Sequence, residues 1–327
     1  MSILLDVFYS GSENHLRGNL LGVILRAYRI KKHFYSGDRT TVIKACDEVN
    51  ISIPEASIVG LVGESGCGKT TLARILLRLL EPDSGIIWFR DTNITSLAEK
   101  QLRPIRKYFQ MIYQDSRSAF HPRMRVFDAL KEPLKLYTDL HGRDLRDKIE
   151  SLLEMVNLNK GLLFHFIGNL SGGEIKRLDI ARALSINPEI IVADEPLSIL
   201  DISIQSRIIN LLLDAREKNG ASILFISHDL GIVKMLSQKI YIMYGGRIVE
   251  IINKMKASFR PMHPYTMFLW EPRNGEFSVG FPPGGCVYKN NCLLYRDRGF
   301  PLLCAEVQPR LKKVSDGHWV ACHFVKP

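Results

Sequence analysis

The sequence lacks any long apolar segment. None of its apolar runs reaches the roughly eighteen residues of a membrane-spanning helix, and its start does not combine the basic, apolar and small-residue regions of a secretory signal. We therefore expect a protein that stays in the cytoplasm. With 327 residues, 46% of them hydrophobic, the chain is long enough for one large or two modest domains with a full core.

The sequence also lacks a concentrated basic stretch. Its net charge of +10 would suit an anionic partner such as a nucleic acid or an anionic membrane face, but the lysines and arginines are spread along the chain. A solvated basic surface is therefore the favoured interpretation. No nucleic-acid partner is expected.

Cysteine is scarce and unevenly distributed. Four of the six cysteines crowd the last fifth of the chain, with five, eleven and seventeen residues between successive members: Cys286, Cys292, Cys304 and Cys322. None of them forms the Cys-x2-Cys pair that marks a zinc ribbon. A reducing compartment disfavours disulfides, whereas four thiolates suit tetrahedral zinc or a four-iron cluster. The four cysteines are predicted to bind a cluster or zinc, or to remain free thiols, with His318 and His323 as further candidate ligands.

What the sequence does contain is a glycine-rich loop after the apolar run Ile58 to Val62, which predicts a buried strand. The loop reads Gly63-Glu64-Ser65-Gly66-Cys67-Gly68-Lys69-Thr70-Thr71. Its three glycines allow the backbone amides to turn inward and surround phosphate groups. Lys69 is predicted to reach the outer phosphates and Thr70 to bind Mg²⁺. The helix that follows directs the positive end of its dipole toward the nucleotide.

A second apolar run, Ile190 to Ala193, predicts a strand buried on both faces, and it ends in Asp194 and Glu195. Carboxylates at the end of such a strand favour a metal site. Asp194 is predicted to hold Mg²⁺, and Glu195 to orient or deprotonate an attacking water. A third run, Ile223 to Ile226, precedes His228, which could hydrogen-bond a γ-phosphate. Taken alone, such a histidine is more often a packing residue.

Two further features complete the candidate nucleotide site. The polar turn Leu170-Ser171-Gly172-Gly173-Glu174 precedes a helical pattern that runs through Leu184, with Ser171 as the expected N-cap. A helix N-terminus preceded by glycines makes a second anion site. Near the start of the chain, Phe34 or Tyr35 could stack on an adenine ring, and simple packing is an equal alternative.

These motifs, in this order, resemble those of the ATP-binding subunit of ABC transporters over residues 24–258. The matching segments are Walker A at Gly63 to Thr71, the Q-loop at Gln114, the signature at Leu170 to Glu174, Walker B at Ile190 to Asp194, the D-loop at Ser198 to Asp201 and the switch histidine at His228. In that family two nucleotide-binding domains pair head to tail. The resemblance implies that Ser171, Gly172 and Gly173 of one domain complete the ATP site of the other. It also implies that Gln114 contacts Mg²⁺ and joins Lys69, Glu195 and His228 as a catalytic residue.

The resemblance implies an α/β fold of the P-loop NTPase type. An ATP-binding domain is expected over 23–258, with an antiparallel β subdomain and a helical subdomain at about 97–183 inserted in a RecA-like core. Helical periods are interrupted by an irregular stretch at 110–122. Residues 1–22 show no sustained period and are predicted to be a loosely attached extension. Residues 259–327 are expected to form a small, irregular extension that contains the four cysteines.

Several short sequence segments are similar to those of the peptide and nickel importer subfamily. The segments that carry this likeness include His121-Pro122-Arg123-Met124, His263-Pro264-Tyr265-Thr266 and Pro282-Pro283-Gly284-Gly285-Cys286. The subfamily implies a second ATPase subunit, identical or different, two transmembrane permease subunits and, indirectly, an extracytoplasmic solute-binding protein. It implies a location at the cytoplasmic face of the cell membrane. It also favours a [4Fe–4S] cluster over Zn²⁺ at the four cysteines.

The sequence departs from the family pattern at four places, one of which is the segment between Thr266 and Pro282, shorter than in typical relatives. The turn Pro54-Glu55-Ala56-Ser57 lacks the usual glycine, and we expect it to be reshaped. The D-loop has Ile199 where alanine is usual, and the signature continues with Ile175-Lys176-Arg177 instead of the commoner glutamines. None of these departures removes a residue that is expected to touch ATP or Mg²⁺.

The predicted function is therefore ATP binding and hydrolysis that energises import of di- or oligopeptides through separate membrane subunits. A nickel or sugar importer ATPase is an alternative within the same subfamily. A second class is an ABC-type ATPase that acts on nucleic acid or ribosomes, but such proteins usually carry two cassettes, and only one phosphate loop is present. A third is a partner that binds ATP without hydrolysing it, against which the intact Glu195 and His228 argue.

Overall fold

The computed structural model describes residues 22–35, 42–271, 282 and 284–325, and the chain divides into two compact units. Among the described residues, the first unit comprises 22–35, 42–54, 58–96, 227–271, 282 and 284–325, and the second comprises 55–57 and 97–226. The predicted helical subdomain therefore lies in the second unit. The segment Ser36-Gly37-Asp38-Arg39 predicts a loop. These residues and the predicted extension at 1–22, apart from its last residue, lie outside the described residues.

The strands are β1 (Val23–Tyr35), β2 (Val42–Pro54), β3 (Ile58–Val62), β4 (Ser84–Phe89), β5 (Thr92–Asn93), β6 (Phe109–Ile112), β7 (Ile190–Asp194), β8 (Ser222–Ser227), β9 (Lys239–Tyr244), β10 (Arg247–Asn253), β11 (Lys312–Ser315) and β12 (His318–Val320). The helices are α1 (Lys69–Leu76), α2 (Glu99–Leu102), α3 (Val126–Tyr137), α4 (Gly142–Met155), α5 (Gly172–Leu184), α6 (Ile202–Asn219), α7 (Leu230–Leu236), α8 (Pro264–Trp270), α9 (Leu293–Asp297) and α10 (Leu302–Glu306). Short 3₁₀ turns occur at Arg106–Tyr108, Ser116–Ala119, Lys160–Phe164, Ile167–Asn169 and Lys289–Asn291.

The first unit contains two sets of paired strands. One is an antiparallel sheet with the order β2-β1-β4-β5. The other has the order β11-β12-β10-β9-β3, in which β3 and β9 are parallel and the remaining pairs are antiparallel. Because β12 pairs with β10 from Glu250 to Ile252, the C-terminal extension continues this sheet. The residues of β3 are all buried, as the apolar run predicts.

The second unit contains three parallel strands in the order β8-β7-β6, together with helices α2 to α6. Every residue of β7 is buried, which is the pattern of a strand covered on both faces. Helices α3 and α4 bury one apolar face each, including Leu130 and Leu134 of α3 and Ile149 and Leu153 of α4. This core supports the turns that follow β6 and β7.

Two predictions about local structure are wrong in detail. The stretch at 110–122, predicted to be irregular, begins with β6, which pairs in parallel with β7 from Phe109 opposite Ile190 to Ile112 opposite Ala193. Four residues carry too little hydrophobic pattern to predict a strand from sequence, because strand preference depends on packing against the neighbouring strand. The apolar pattern from Leu72 to Leu80, followed by Pro82, predicts a helix that continues to Leu80. The helix ends at Leu76 instead, because the amides of Leu79 and Leu80 both turn back to the Arg74 carbonyl.

Candidate nucleotide-binding site

The glycine-rich loop joins β3 to α1 in the first unit. Gly68 precedes α1 with a φ of +108°, and a Cβ at this position would lie 1.9 Å from the carbonyl oxygen of Ala45. A Cβ on Gly63 would lie 2.2 Å from the carbonyl oxygen of Met243. The loop is therefore pressed against neighbouring backbone on two sides. Only glycine combines the required dihedral angle and the close approach at Gly68.

The ammonium of Lys69 is held inside this loop. Its Nζ donates to the carbonyl oxygens of Gly63 at 2.6 Å and of Glu64 at 2.8 Å, and the residue is 7% exposed. A phosphate oxygen is a stronger acceptor for an ammonium than a neutral carbonyl. The Lys69 ammonium is therefore placed to exchange its bonds to these two carbonyl oxygens for bonds to a phosphate.

The remaining loop residues differ in their exposure. Ser65 and Gly66 are exposed, Thr70 and Thr71 are half-buried in the first turn of α1, and Cys67 is buried. Burial raises the pKa of the Cys67 thiol, so the group stays neutral at physiological pH. The exposed rim of backbone at the start of a helix can accept an anionic ligand.

Two other candidate residues lie in the first unit. His228 is exposed between β8 and α7, where Asp229 caps the helix by accepting a hydrogen bond from the Ile232 amide at 3.0 Å. Tyr35 is the last residue of β1 and is 65% exposed. Both rings are accessible to a ligand. Their contacts with a nucleotide stay predictions.

The signature turn and the D-loop segment meet within the second unit. Ser171 caps α5, as predicted: its Oγ accepts from the Glu174 amide at 3.3 Å, and the Glu174 carboxylate accepts from the Ser171 amide at 2.8 Å. These bonds hold the pKa of Glu174 below its usual range. A Cβ on Gly172 or Gly173 would lie 3.7 Å from the nearest atom of Ile199. The two glycines therefore face Ile199 at van der Waals distance.

Asp194 ends β7 in the second unit, and Glu195 follows it. Asp194 is 1% exposed, and Glu195 is half-buried with a φ of +47°. The Glu195 amide donates to the Ile226 carbonyl at 3.0 Å, and the Ser198 hydroxyl donates to the Glu195 carbonyl at 2.8 Å. A carboxylate residue in this sparsely populated conformation persists only where its surroundings hold it. Its backbone is fixed on both sides.

Gln114 is exposed on the turn after β6, and a buried polar network reaches that turn from α5. The Asp179 carboxylate is fully buried and accepts from the Tyr113 amide at 2.9 Å and from the Ser116 hydroxyl at 3.0 Å. Arg182 donates to the other Asp179 oxygen at 2.7 Å. The signature helix and the Gln114 turn are thus joined inside the second unit.

Sequence reasoning did not assign a role to this network. Burial raises the pKa of Asp179, which Arg182 opposes, and burial lowers the pKa of Lys176, which Asp179 opposes. The signal was present: Lys176 and Asp179 lie three residues apart on a helix whose neighbours Ile175 and Leu178 are apolar. Charged residues on a buried helix face require partners.

The four C-terminal cysteines line one small cavity of the first unit, whose free volume is about 10 Å³. All four are free, buried thiols, and burial together with the neighbouring cysteines raises the pKa of Cys286 to about 12. His323 lines the same cavity, whereas His318 bonds to Glu250 at 2.6 Å. Within the part of the chain that the structure describes, no three His, Cys, Asp or Glu side chains are arranged to hold a metal ion.

Comparison with known proteins identifies the family. Residues 46–198 match the ABC transporter model. The chain is 38% identical over 321 residues to the putative oligopeptide transport ATP-binding protein YkfD of Bacillus subtilis, covering 93% of this chain and 96% of that protein. The chain belongs to the ABC transporter ATPases. It is also 36% identical to a putative peptide import ATP-binding protein of Brucella ovis, BOV_A0347, over 91% of this chain and 97% of that one.

Solved ABC cassettes have the same fold. The dimeric post-hydrolysis structure of the cassette MJ0796 bound to ADP and phosphate superposes with a TM-score of 0.66 at 26% identity, covering 70% of this chain and 98% of that one. The predicted P-loop NTPase fold and ATPase class are confirmed. Over the described ranges, none of the helices of this ABC ATPase has the length and apolar character needed to cross a bilayer.

Proposed function

We propose that this ABC ATPase hydrolyses ATP to energise import of di- or oligopeptides through separate membrane subunits. The observation that carries the proposal is the extent of similarity. Relatives named as oligopeptide transport or peptide import proteins match more than nine-tenths of this chain and more than nine-tenths of their own length. The match therefore extends well beyond the 46–198 segment that ABC transporters share in general. The domain limits proposed are 23–258 for the ATP-binding domain and 259–327 for the C-terminal extension.

The proposed division of labour among the residues follows from their chemistry. The loop amides and Lys69 bind the phosphates, Glu195 orients the attacking water, and His228 contacts the γ-phosphate. The buried carboxylate of Asp194 and the half-buried Thr70, with Gln114, are oxygen donors of the kind that Mg²⁺ prefers. When bound, Mg²⁺ offsets the charge that develops on the phosphates.

The proposed assembly is a dimer of ATPase subunits on two membrane subunits. The exposed Ser171, with Gly172 and Gly173, would complete the ATP site of the second subunit. The capping box supports this role, because it fixes the first turn of α5, where the helix itself provides no partner for the amides of Gly172 and Gly173. The chain would then lie against the inner face of the membrane and act without touching the transported solute. An extracytoplasmic binding protein would deliver that solute.

The decisive experiment measures steady-state ATPase activity of the chain assembled with its membrane subunits in liposomes, with and without an oligopeptide mixture and the binding protein. Wild type is compared with Lys69→Ala and Glu195→Gln, and we expect each substitution to lower kcat by at least about a hundredfold. Lys218→Ala, which removes an exposed charge of α6 outside the proposed site, is the control and should keep the activity of the wild type. Peptides should stimulate the wild type.

Other outcomes separate the alternatives. Stimulation by nickel or sugar instead of peptides would replace the solute class and keep the ATPase assignment. Activity that depends on RNA or ribosomes and not on membrane subunits would overturn the transport proposal. A wild type as inactive as Glu195→Gln would mean that bound ATP has a structural role.

We also propose that the four-cysteine cavity binds an iron–sulfur cluster, with Zn²⁺ as the alternative. The chemistry of the donors suits such a cluster, because four free thiols line one cavity, although no three of the described side chains there are already arranged to hold a metal ion. Anaerobically purified wild type should contain iron and sulfide, or zinc, that Cys304→Ser lacks. Cys46→Ser, which removes another buried thiol of the same unit, is the control. Equal metal content in wild type and Cys304→Ser would contradict this proposal.

A further inference from the structure

One peptide unit of the phosphate-binding loop is held from both sides. The Lys69 ammonium donates to the Gly63 carbonyl oxygen at 2.6 Å, and the Glu64 amide donates to the Tyr265 hydroxyl oxygen at 2.8 Å. This carbonyl and this amide belong to the same planar trans peptide, so they point in opposite directions. Lys69 therefore lies on the inner side of the loop and Tyr265 on its outer side, although 201 residues separate Glu64 from Tyr265.

Tyr265 is itself firmly fixed. It is fully buried at the start of α8, where its amide donates to Nδ1 of the capping His263 at 3.1 Å. The His263 amide in turn donates to the buried carboxylate of Glu250 at 3.0 Å. The Tyr265 ring packs against Tyr244, with ring centroids 4.6 Å apart, and against Tyr288 at 5.4 Å. A hydroxyl on such a support is a rigid acceptor.

The support comes from two directions. Tyr244 ends β9, which runs parallel to β3, the strand that leads into the loop. Tyr288 belongs to the cysteine-containing segment and lines the thiol cavity beside Cys286. The Tyr244 hydroxyl accepts a hydrogen bond from Asn291 of the same segment at 3.0 Å. The C-terminal extension thus reaches the phosphate-binding loop through the aromatic cluster Tyr244, Tyr265 and Tyr288.

We propose that Tyr265 is a positioning residue for nucleotide binding: its hydroxyl holds the Gly63–Glu64 peptide in the orientation that the loop needs to receive phosphate. This inference rests on the proposed nucleotide site at Gly63 to Thr71. When a phosphate draws Lys69 away from the Gly63 carbonyl, the bond to Tyr265 keeps the peptide from rotating. Without the Tyr265 hydroxyl, the Glu64 amide loses its acceptor. Part of the binding free energy of the nucleotide is then used to order the loop, so the affinity for nucleotide falls.

The test is Tyr265→Phe, which removes the hydroxyl and keeps the ring. We expect the Kd of the monomeric protein for Mg-ATP and the KM for ATP each to rise about three- to tenfold. This is the order of magnitude for one lost hydrogen bond. The value of kcat should stay within about twofold, because groups near the reacting atoms are untouched. The full-length chain is used, and thermal unfolding is measured alongside.

Tyr241→Phe is the matched control. The Tyr241 hydroxyl is also buried and also accepts from a backbone amide, that of Ser52 at 3.0 Å, on β9 of the same unit. The Tyr241→Phe substitution should lower the melting temperature about as much as Tyr265→Phe does, while the affinity for ATP stays unchanged. If the Tyr265 hydroxyl only stabilised the fold, Tyr265→Phe and Tyr241→Phe would bind ATP with the same affinity.

Several results would overturn the inference. Unchanged Kd and KM in Tyr265→Phe would do so, as would an equal rise of Kd in Tyr241→Phe. A fall in kcat with KM unchanged would assign the hydroxyl to turnover rather than to binding. If the wild type itself binds no Mg-ATP, the proposed nucleotide site is wrong, and the inference about Tyr265 is wrong with it. If the wild type binds Mg-ATP and Lys69→Ala does not, the nucleotide site stands, and the result for Tyr265→Phe then tests the inference alone.

Discussion

The ammonium of Lys176 donates a hydrogen bond to the carbonyl oxygen of Tyr113 at 2.6 Å, from the middle of the signature helix to the residue before Gln114. Asp179, one turn further along α5, accepts from the amide of Tyr113. Both polar backbone groups of Tyr113 are therefore held by side chains of one helix. Because Ser171 begins that helix, these two bonds join the Gln114 turn to the helix that carries the signature.

Lys176→Met should uncouple this turn from α5. Methionine fills a similar volume but cannot donate, so the Tyr113 carbonyl loses its bond and the position of Gln114 loosens. We expect kcat of the assembled transporter to fall about tenfold with little change in the affinity for ATP. Steady-state ATPase assays and nucleotide titration measure the two effects. Lys218→Met, at an exposed lysine of α6, should behave like wild type, and equal kcat values for the two variants would contradict the coupling.

Asp179→Ala should be far more damaging to stability. It removes the fully buried carboxylate between Lys176 and Arg182 and leaves cationic groups without compensation inside the second unit. The expected loss in the free energy of unfolding is about 3–5 kcal/mol, measured by urea denaturation. Asp214→Ala breaks an exposed pair with Lys218 and should cost less than about 1 kcal/mol. Similar losses in the two variants would show that burial of the Asp179 network contributes nothing.

Two glycines of the phosphate-binding loop offer a matched comparison. Gly68 and Gly66 both have positive φ, but a Cβ on Gly68 would meet the Ala45 carbonyl at 1.9 Å, whereas a Cβ on Gly66 meets nothing within 4 Å. Gly66→Ala should cost about 1–2 kcal/mol from backbone strain alone. Gly68→Ala should cost at least about 2 kcal/mol more, because backbone must move. Nucleotide-free thermal unfolding measures the difference, and equal melting temperatures would refute it.

His263 should make the protein less stable in acid. Burial lowers the pKa of His263 to about 4 from its ordinary value of 6.5, although Glu250 opposes this shift. The unfolded chain therefore takes up the proton first, and stability that is complete above pH 6.5 is lost as the pH falls toward 4. The loss attributable to this group is about 3 kcal/mol.

The measurement is the free energy of unfolding of wild type and His263→Asn across that pH range. Asparagine has no titrating group in this range, and its side-chain oxygen can still cap α8 by accepting from the Tyr265 amide. The difference in stability between the two proteins should therefore shift in favour of the variant as the pH falls. A difference that is independent of pH would show that His263 is not held neutral.

Local sequence was sufficient wherever one short segment carries its own chemistry. The glycine spacing of the loop, the capping box at Ser171 and the apolar runs of β3, β7 and β8 each specify backbone shape through neighbours only a few residues away. These segments were predicted correctly in type and closely in position. The residue roles that depend on a bound nucleotide stay predictions, because they require the ligand as well as the fold.

The tertiary structure decided what depends on distant pairing. It made a strand of Phe109–Ile112 by setting it beside β7, and it gathered four widely spaced cysteines around one cavity. It buried Lys176 with Asp179 and brought Tyr265 to the amide of Glu64. The distant partner of Lys176 and Asp179 is Tyr113, more than sixty residues away along the chain. The physical reason is the same in each case. The free energy of a buried polar or paired group is set by partners tens to hundreds of residues away, and no local pattern encodes which partner will be there.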